Sequence, residues 1–80
     1  MSIKNIELPN DYNCTLQVRW VAQRYMPTIQ PESASRWLRR EIHRNAELAE
    51  QLKSLGWASR NHNFNPRQLR ALVTHLGPFW

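Results

Sequence analysis

Between residues 31 and 44 the chain reads PESASRWLRREIHR, with Arg36, Arg39, Arg40 and Arg44 beside His43. On a helix Arg36 and Arg40 stand at i and i+4, while Arg36, Arg39 and His43 stand at i, i+3 and i+7, so they share one surface. Ala34, Leu38 and Ile42 recur at i, i+4 and i+8 on the side away from it. Guanidinium groups form planar, forked contacts with phosphates and guanine edges. Ser33 and Ser35 fall near the start of this helix, where a recognition helix in the major groove meets base edges. The pattern predicts a nucleic-acid-binding face formed by Ser33, Ser35, Arg36, Arg39, Arg40, His43 and Arg44. The competing expectation is a solvated helix face, because arginine is a good helix former.

The remaining charge points the same way. Nine of the eleven Lys+Arg residues are arginine, against six Asp+Glu, for a formal net charge of +5. Residues 31–44 carry +2, residues 58–80 carry +3 from Arg60, Arg67 and Arg70, and residues 45–57 carry −1. If the basic segments share a face they form a phosphate footprint. Arg60, Arg67 and Arg70 are then expected on the backbone of double-stranded DNA, with Arg60 and His62 as a small wing. A polar surface loop is the plainer reading of residues 57–64.

Other chemistry finds no support. Asp11 is the single aspartate, so a Ser-His-Asp arrangement cannot be built. Cys14 has no spacing relation to His43, His62 or His75 that suggests a nucleophile and base, and a partly buried structural role is expected for it. No C-x-x-C or H-x-x-x-H occurs, and Gly56 and Gly77 are the only glycines, which leaves no metal-ligand spacing and no phosphate-cradling glycine loop. The expectation is a non-enzyme without cofactor or metal. No apolar run approaches the roughly 18–20 residues of a membrane span, and Met1–Asn10 lacks the apolar core of a secretion signal. A single cysteine cannot form an internal disulfide. These features predict a cytoplasmic protein.

Eighty residues allow one compact core and exclude a two-domain enzyme. Residues 1–12 read as an N-terminal lead-in and residues 13–80 as a single helical domain. In the segment after the lead-in, Cys14, Leu16, Val18 and Trp20 alternate as in a strand, but Val18, Val21, Ala22 and Tyr25 follow a helical stripe. A helix from about Thr15 to Tyr25 is preferred, capped by Asn13 or Thr15 and stopped by Pro27. Pro31 and Glu32 suit the first turn of the second helix, which runs to about Arg44. Asn45 caps a third helix with Leu48, Ala49, Leu52 and Leu55 as its stripe, closed by Gly56. Residues 57–64 form a loop or a very short hairpin. Asn65, Pro66 and Gln68 open a fourth helix as in a capping box, and Gly77 ends it in a left-handed cap. The fold class expected is all-α: a compact bundle of four short helices with a helix-turn-helix-like arrangement. Trp20, Trp37 and Trp57 lie beside the apolar stripes and are expected in the core. Phe79 and Trp80 either fold back on the domain or anchor a partner, a second copy of the chain or a larger protein.

Taken together, Ala22-x-x-Tyr25-Met26-Pro27, Pro31-Glu32-Ser33-Ala34-x-x-x-Leu38-x-x-x-Ile42, Asn45-x-Glu47-Leu48-x-x-x-Leu52-x-x-x-Gly56-Trp57 and Phe64-x-Pro66-x-Gln68-Leu69-x-x-x-Val73-x-x-Leu76-Gly77 resemble a family of short bacterial proteins frequent in gut anaerobes, catalogued as a domain of unknown function. The resemblance spans about residues 15–78. More distantly the layout resembles excisionase-like and MerR-like helix-turn-helix domains, and that likeness implies that the helix at 32–44 is a recognition helix. The chain departs from the family pattern at Gln30, where Ser or Thr is usual, and at Arg40-Glu41-Ile42, where Arg-Trp-Ile is frequent. An acid there weakens the positive face around Glu41.

Overall fold

The computed structural model describes residues 7–80; residues 1–6 of the expected lead-in lie outside the described residues. Four helices form, α1 (Val18–Tyr25), α2 (Pro31–Arg44), α3 (Ala46–Ser54) and α4 (Pro66–Leu76), with two short strands, β1 (Leu16–Gln17) and β2 (Asn63–Phe64). A 3-10 turn at Asn10–Tyr12 precedes them. The protein is therefore mostly helical rather than all-α.

The small sheet corrects two expectations. Leu16 pairs with Phe64 and Gln17 with Asn63 in an antiparallel bridge, which the Val18 N–H extends by donating to the His62 carbonyl at 2.8 Å. Residues 16 and 17 are held extended, so α1 begins at Val18 instead of Thr15. Of the alternating set only Leu16 lies in a strand; Val18 and Trp20 belong to α1, where the helical stripe prevails. The 57–64 segment does not pair with itself as a hairpin; its strand crosses to the segment before α1. Phe64 is thereby fully buried and stacks on Trp57 at 5.4 Å.

Local chemistry explains the helix ends. Pro31 occupies the first turn of α2, and Gln30 makes no side-chain cap. Five residues, 26–30, join α1 to α2, and the Gln23 Nε2 group donates to the Met26 and Ile29 carbonyls at 3.0 and 2.6 Å. Asn45 ends α2 and caps α3, its Oδ1 accepting from the Leu48 N–H at 3.1 Å. At the far end of α3 the Gly56 N–H donates to Lys53 and the Trp57 N–H to Leu52. That two-bond closure requires the positive φ of +86° at Gly56, which glycine adopts without a Cβ penalty. Gly77 has φ +90° but an extended ψ of 169°, so it is not a left-handed helical cap; Pro78 after it disfavours helical ψ.

The core gathers Val18, Val21 and Ala22 of α1, Ala34, Leu38 and Ile42 of α2, Leu48 and Leu52 of α3, and Leu69, Leu72 and Val73 of α4 around Phe64. Leu38, Leu48, Leu52, Leu69 and Leu72 have no exposed surface, and burying such a side chain contributes about 1.5–3 kcal/mol. Leu8, within the expected lead-in, also joins this core. Trp57 is buried as expected and Trp37 is half-buried against Tyr25, but Trp20 is 39% exposed. Its place at the end of the bundle, over Tyr12 and Phe79, leaves one side open. Phe79 folds back onto the core while Trp80 remains 41% exposed. Cys14, expected to be partly buried, is exposed.

Candidate nucleic-acid interface

α1 packs against α2, and β2 lies beside the start of α1. Three sequence-distant segments therefore border one open groove of about 530 Å3. From α2 come Ser35, Arg36 and Arg39; from the start of α1, Arg19; from the loop and β2, His62 and Asn63. Gln17 and Val18 complete the wall, and Glu32 is the one acid lining it. The buried faces dictate this arrangement. Val18, Val21 and Ala22 turn inward, which sends Arg19 out; Ala34, Leu38 and Ile42 turn inward, which sends Arg36 and Arg40 out.

Arg39 is held differently from its neighbours. It is half-buried, and its Nη1 group donates to the Ser59 carbonyl and to the Asn61 carbonyl at 3.2 Å. A guanidinium has five N–H donors in a fixed fork, so the other nitrogens remain for a further acceptor. Arg39 thus ties α2 to the loop that carries Arg60 and His62.

The other expected residues spread over the surface. Ser33 and Arg40 are exposed on α2 but do not line the groove. Arg44 pairs with Glu41 at 3.0 Å while 77% exposed, a contact worth about 0–1 kcal/mol in water. His43 borders a second, smaller depression with Lys53 and Trp57. Arg60 is exposed in the loop between the two carbonyls that Arg39 holds. Arg67 and Arg70 line a third depression, with Glu7, Gln51 and Thr74, and are not brought to the groove. Arg19 is not among the residues expected at the site, because the apolar stripe of α1 marks its buried face and not what the opposite face meets. The strand-like alternation around it is the one signal that its neighbourhood meets a distant segment.

Among the described residues no group of three or more His, Cys, Asp or Glu is placed to hold a metal ion. No described helix is long and apolar enough to cross a membrane. The groove instead offers cationic forks, an imidazole and amide side chains on a shallow open floor, suited to an extended anionic surface.

No curated protein matches the chain, and no solved structure matches it. A family model does, over residues 14–78, which takes in all four helices, both strands and every residue of the groove. The chain belongs to the family described as domain of unknown function DUF4248.

Proposed function

We propose that this chain is a small, non-enzymatic, cytoplasmic DNA-binding domain that sets α2 into the major groove of a duplex. The convergence of Arg19, Arg36, Arg39 and His62 on one groove from three separate segments carries the reading. In it Ser33, Ser35 and Arg36 face base edges near the start of α2. Arg19, Arg40 and Arg60 take phosphates, and the loop with His62 lies along the backbone as a wing. Arg67 and Arg70, in their own depression, make outer phosphate contacts at most.

A salt titration of duplex binding tests this. With three or four phosphates neutralised, log affinity falls against log salt with a slope of roughly −3 to −4. Arg36 and Arg40 are exposed, so Arg36→Ala combined with Arg40→Ala abolishes binding without unfolding the chain. Arg67→Ala with Arg70→Ala weakens it less. No complex at low salt would overturn the proposal.

A second reading, self-association, draws on Trp20 and Trp80, both exposed large aromatics that meet at Tyr12. Such aromatic clusters anchor protein interfaces. A dimer in sedimentation that Trp80→Ala disperses would support it, and a monomer at high concentration would remove it.

A further inference from the structure

The depression that takes in His43 is chemically unlike the groove. It lies between the second half of α2, α3 and the turn after Gly56, and measures about 260 Å3. Its apolar walls are Ile42, Ala49, Trp57 and Ala58, and Arg39, His43 and Lys53 stand around them with no acid among the lining residues. Lys53 forms no ion pair among the described residues. Trp57 is stacked on Phe64, and its indole Nε1–H is buried with no hydrogen-bond partner among the described residues. At about 260 Å3 the depression lies just below the roughly 300–1,000 Å3 of pockets that enclose a drug-sized ligand, so it suits a one- or two-ring molecule better than a nucleotide or a peptide. Apolar walls favour a ring, and the Arg39 and Lys53 cations, with no acid among the lining residues, favour an anionic head beside it.

We propose that this depression binds a small aromatic carboxylate, with the ring against Ile42 and Trp57 and the carboxylate towards Lys53 and Arg39. The site is independent of the DNA-binding reading, since nothing in it requires nucleic acid. Arg39 borders both cavities and holds the carbonyls of Ser59 and Asn61, so occupancy registers in the loop as well as in the pocket.

The test is an amide and indole N–H NMR titration of the full chain with 2-naphthoate, matched against the neutral 2-naphthylmethanol. The Trp57 indole N–H and the backbone N–H groups of Lys53, Ala58, Ser59 and Asn61 are expected to shift together and saturate, with a Kd of roughly millimolar or tighter. Lys53 is exposed, so Lys53→Gln leaves the fold intact and should weaken 2-naphthoate about fivefold to tenfold, with the neutral alcohol weaker than naphthoate by a similar factor. The proposal is overturned by shifts that fail to saturate. It is equally overturned by indifference to the carboxylate or to Lys53, or by shifts centred on Arg19, Arg36 and Asn63, which would place the anion in the groove instead.

Discussion

The two bonds from Arg39 to the Ser59 and Asn61 carbonyls join a helix to a loop whose own backbone makes a turn, Asn61 N–H to the Ala58 carbonyl at 2.9 Å. By spacing, Arg39 belongs to the same exposed set as Arg36 and Arg40. The i, i+3 rule places a side chain on a face but does not say what folds over that face. Here the 57–62 loop comes down on it. Under the proposed DNA-binding function, Arg39 would act partly through the loop it positions and Arg36 directly. Arg39→Ala should lower stability by about 1–2 kcal/mol, the worth of charge-assisted bonds to neutral carbonyls at a partly exposed site. It should also speed hydrogen exchange of the amides at 58–62. Arg36→Ala should change neither. Urea denaturation and exchange rates, both without DNA, read this out; an Arg39→Ala protein with native stability and native loop exchange would reduce Arg39 to a surface contact.

Among the elements, α4 was the most legible, because everything that starts it lies within four residues. The Asn65 side chain accepts from the Gln68 N–H and the Gln68 side chain accepts from the Asn65 N–H, both at 2.9 Å. What the sequence did not display is that Gln68 Nε2 also donates to the Leu55 carbonyl at 3.0 Å. A capping residue thus locks the start of α4 to the end of α3, and Gln68 is the one buried polar residue among the described residues. Gln68→Ala should cost about 2–4 kcal/mol, since it removes two bonds and strands the Leu55 carbonyl. Gln68→Glu keeps the acceptor for Asn65 but sets a carboxylate against the Leu55 carbonyl, and should not restore stability. Chemical denaturation of the two variants decides; native stability in either would mean that solvent replaces these bonds freely. The strands were the opposite case. Two residues each are too few for a period-2 pattern to compete with a helical stripe, and their pairing is set by tertiary packing around Phe64. The arginine face of α2 could be read from spacing alone, but the groove could not, because Arg19 and His62 reach it only through that pairing.

At the scale of the molecule, Tyr25 joins parts that are remote in sequence. It is the last residue of α1; its ring lies 6.0 Å from Trp37 of α2 and 6.0 Å from Phe79, and its hydroxyl donates to the Gly77 carbonyl at 2.5 Å. Burial holds the phenol well above its ordinary ionisation range, because the anion would lose water and gain nothing in its place. In the unfolded chain the same phenol ionises near pH 10. Above that pH the native state retains a proton that the unfolded state has released, and stability must fall as pH rises. The contribution of Tyr25 is fully present below about pH 10 and is lost progressively above it. Tyr25→Phe should lower stability at neutral pH by about 1 kcal/mol through the lost hydrogen bond, yet flatten the alkaline decline. Urea midpoints measured from neutral pH to beyond the phenol range check both effects at once. An alkaline decline of unchanged steepness in Tyr25→Phe would assign the linkage to another group and leave the closure of α1 against the segment after α4 resting on ring packing alone.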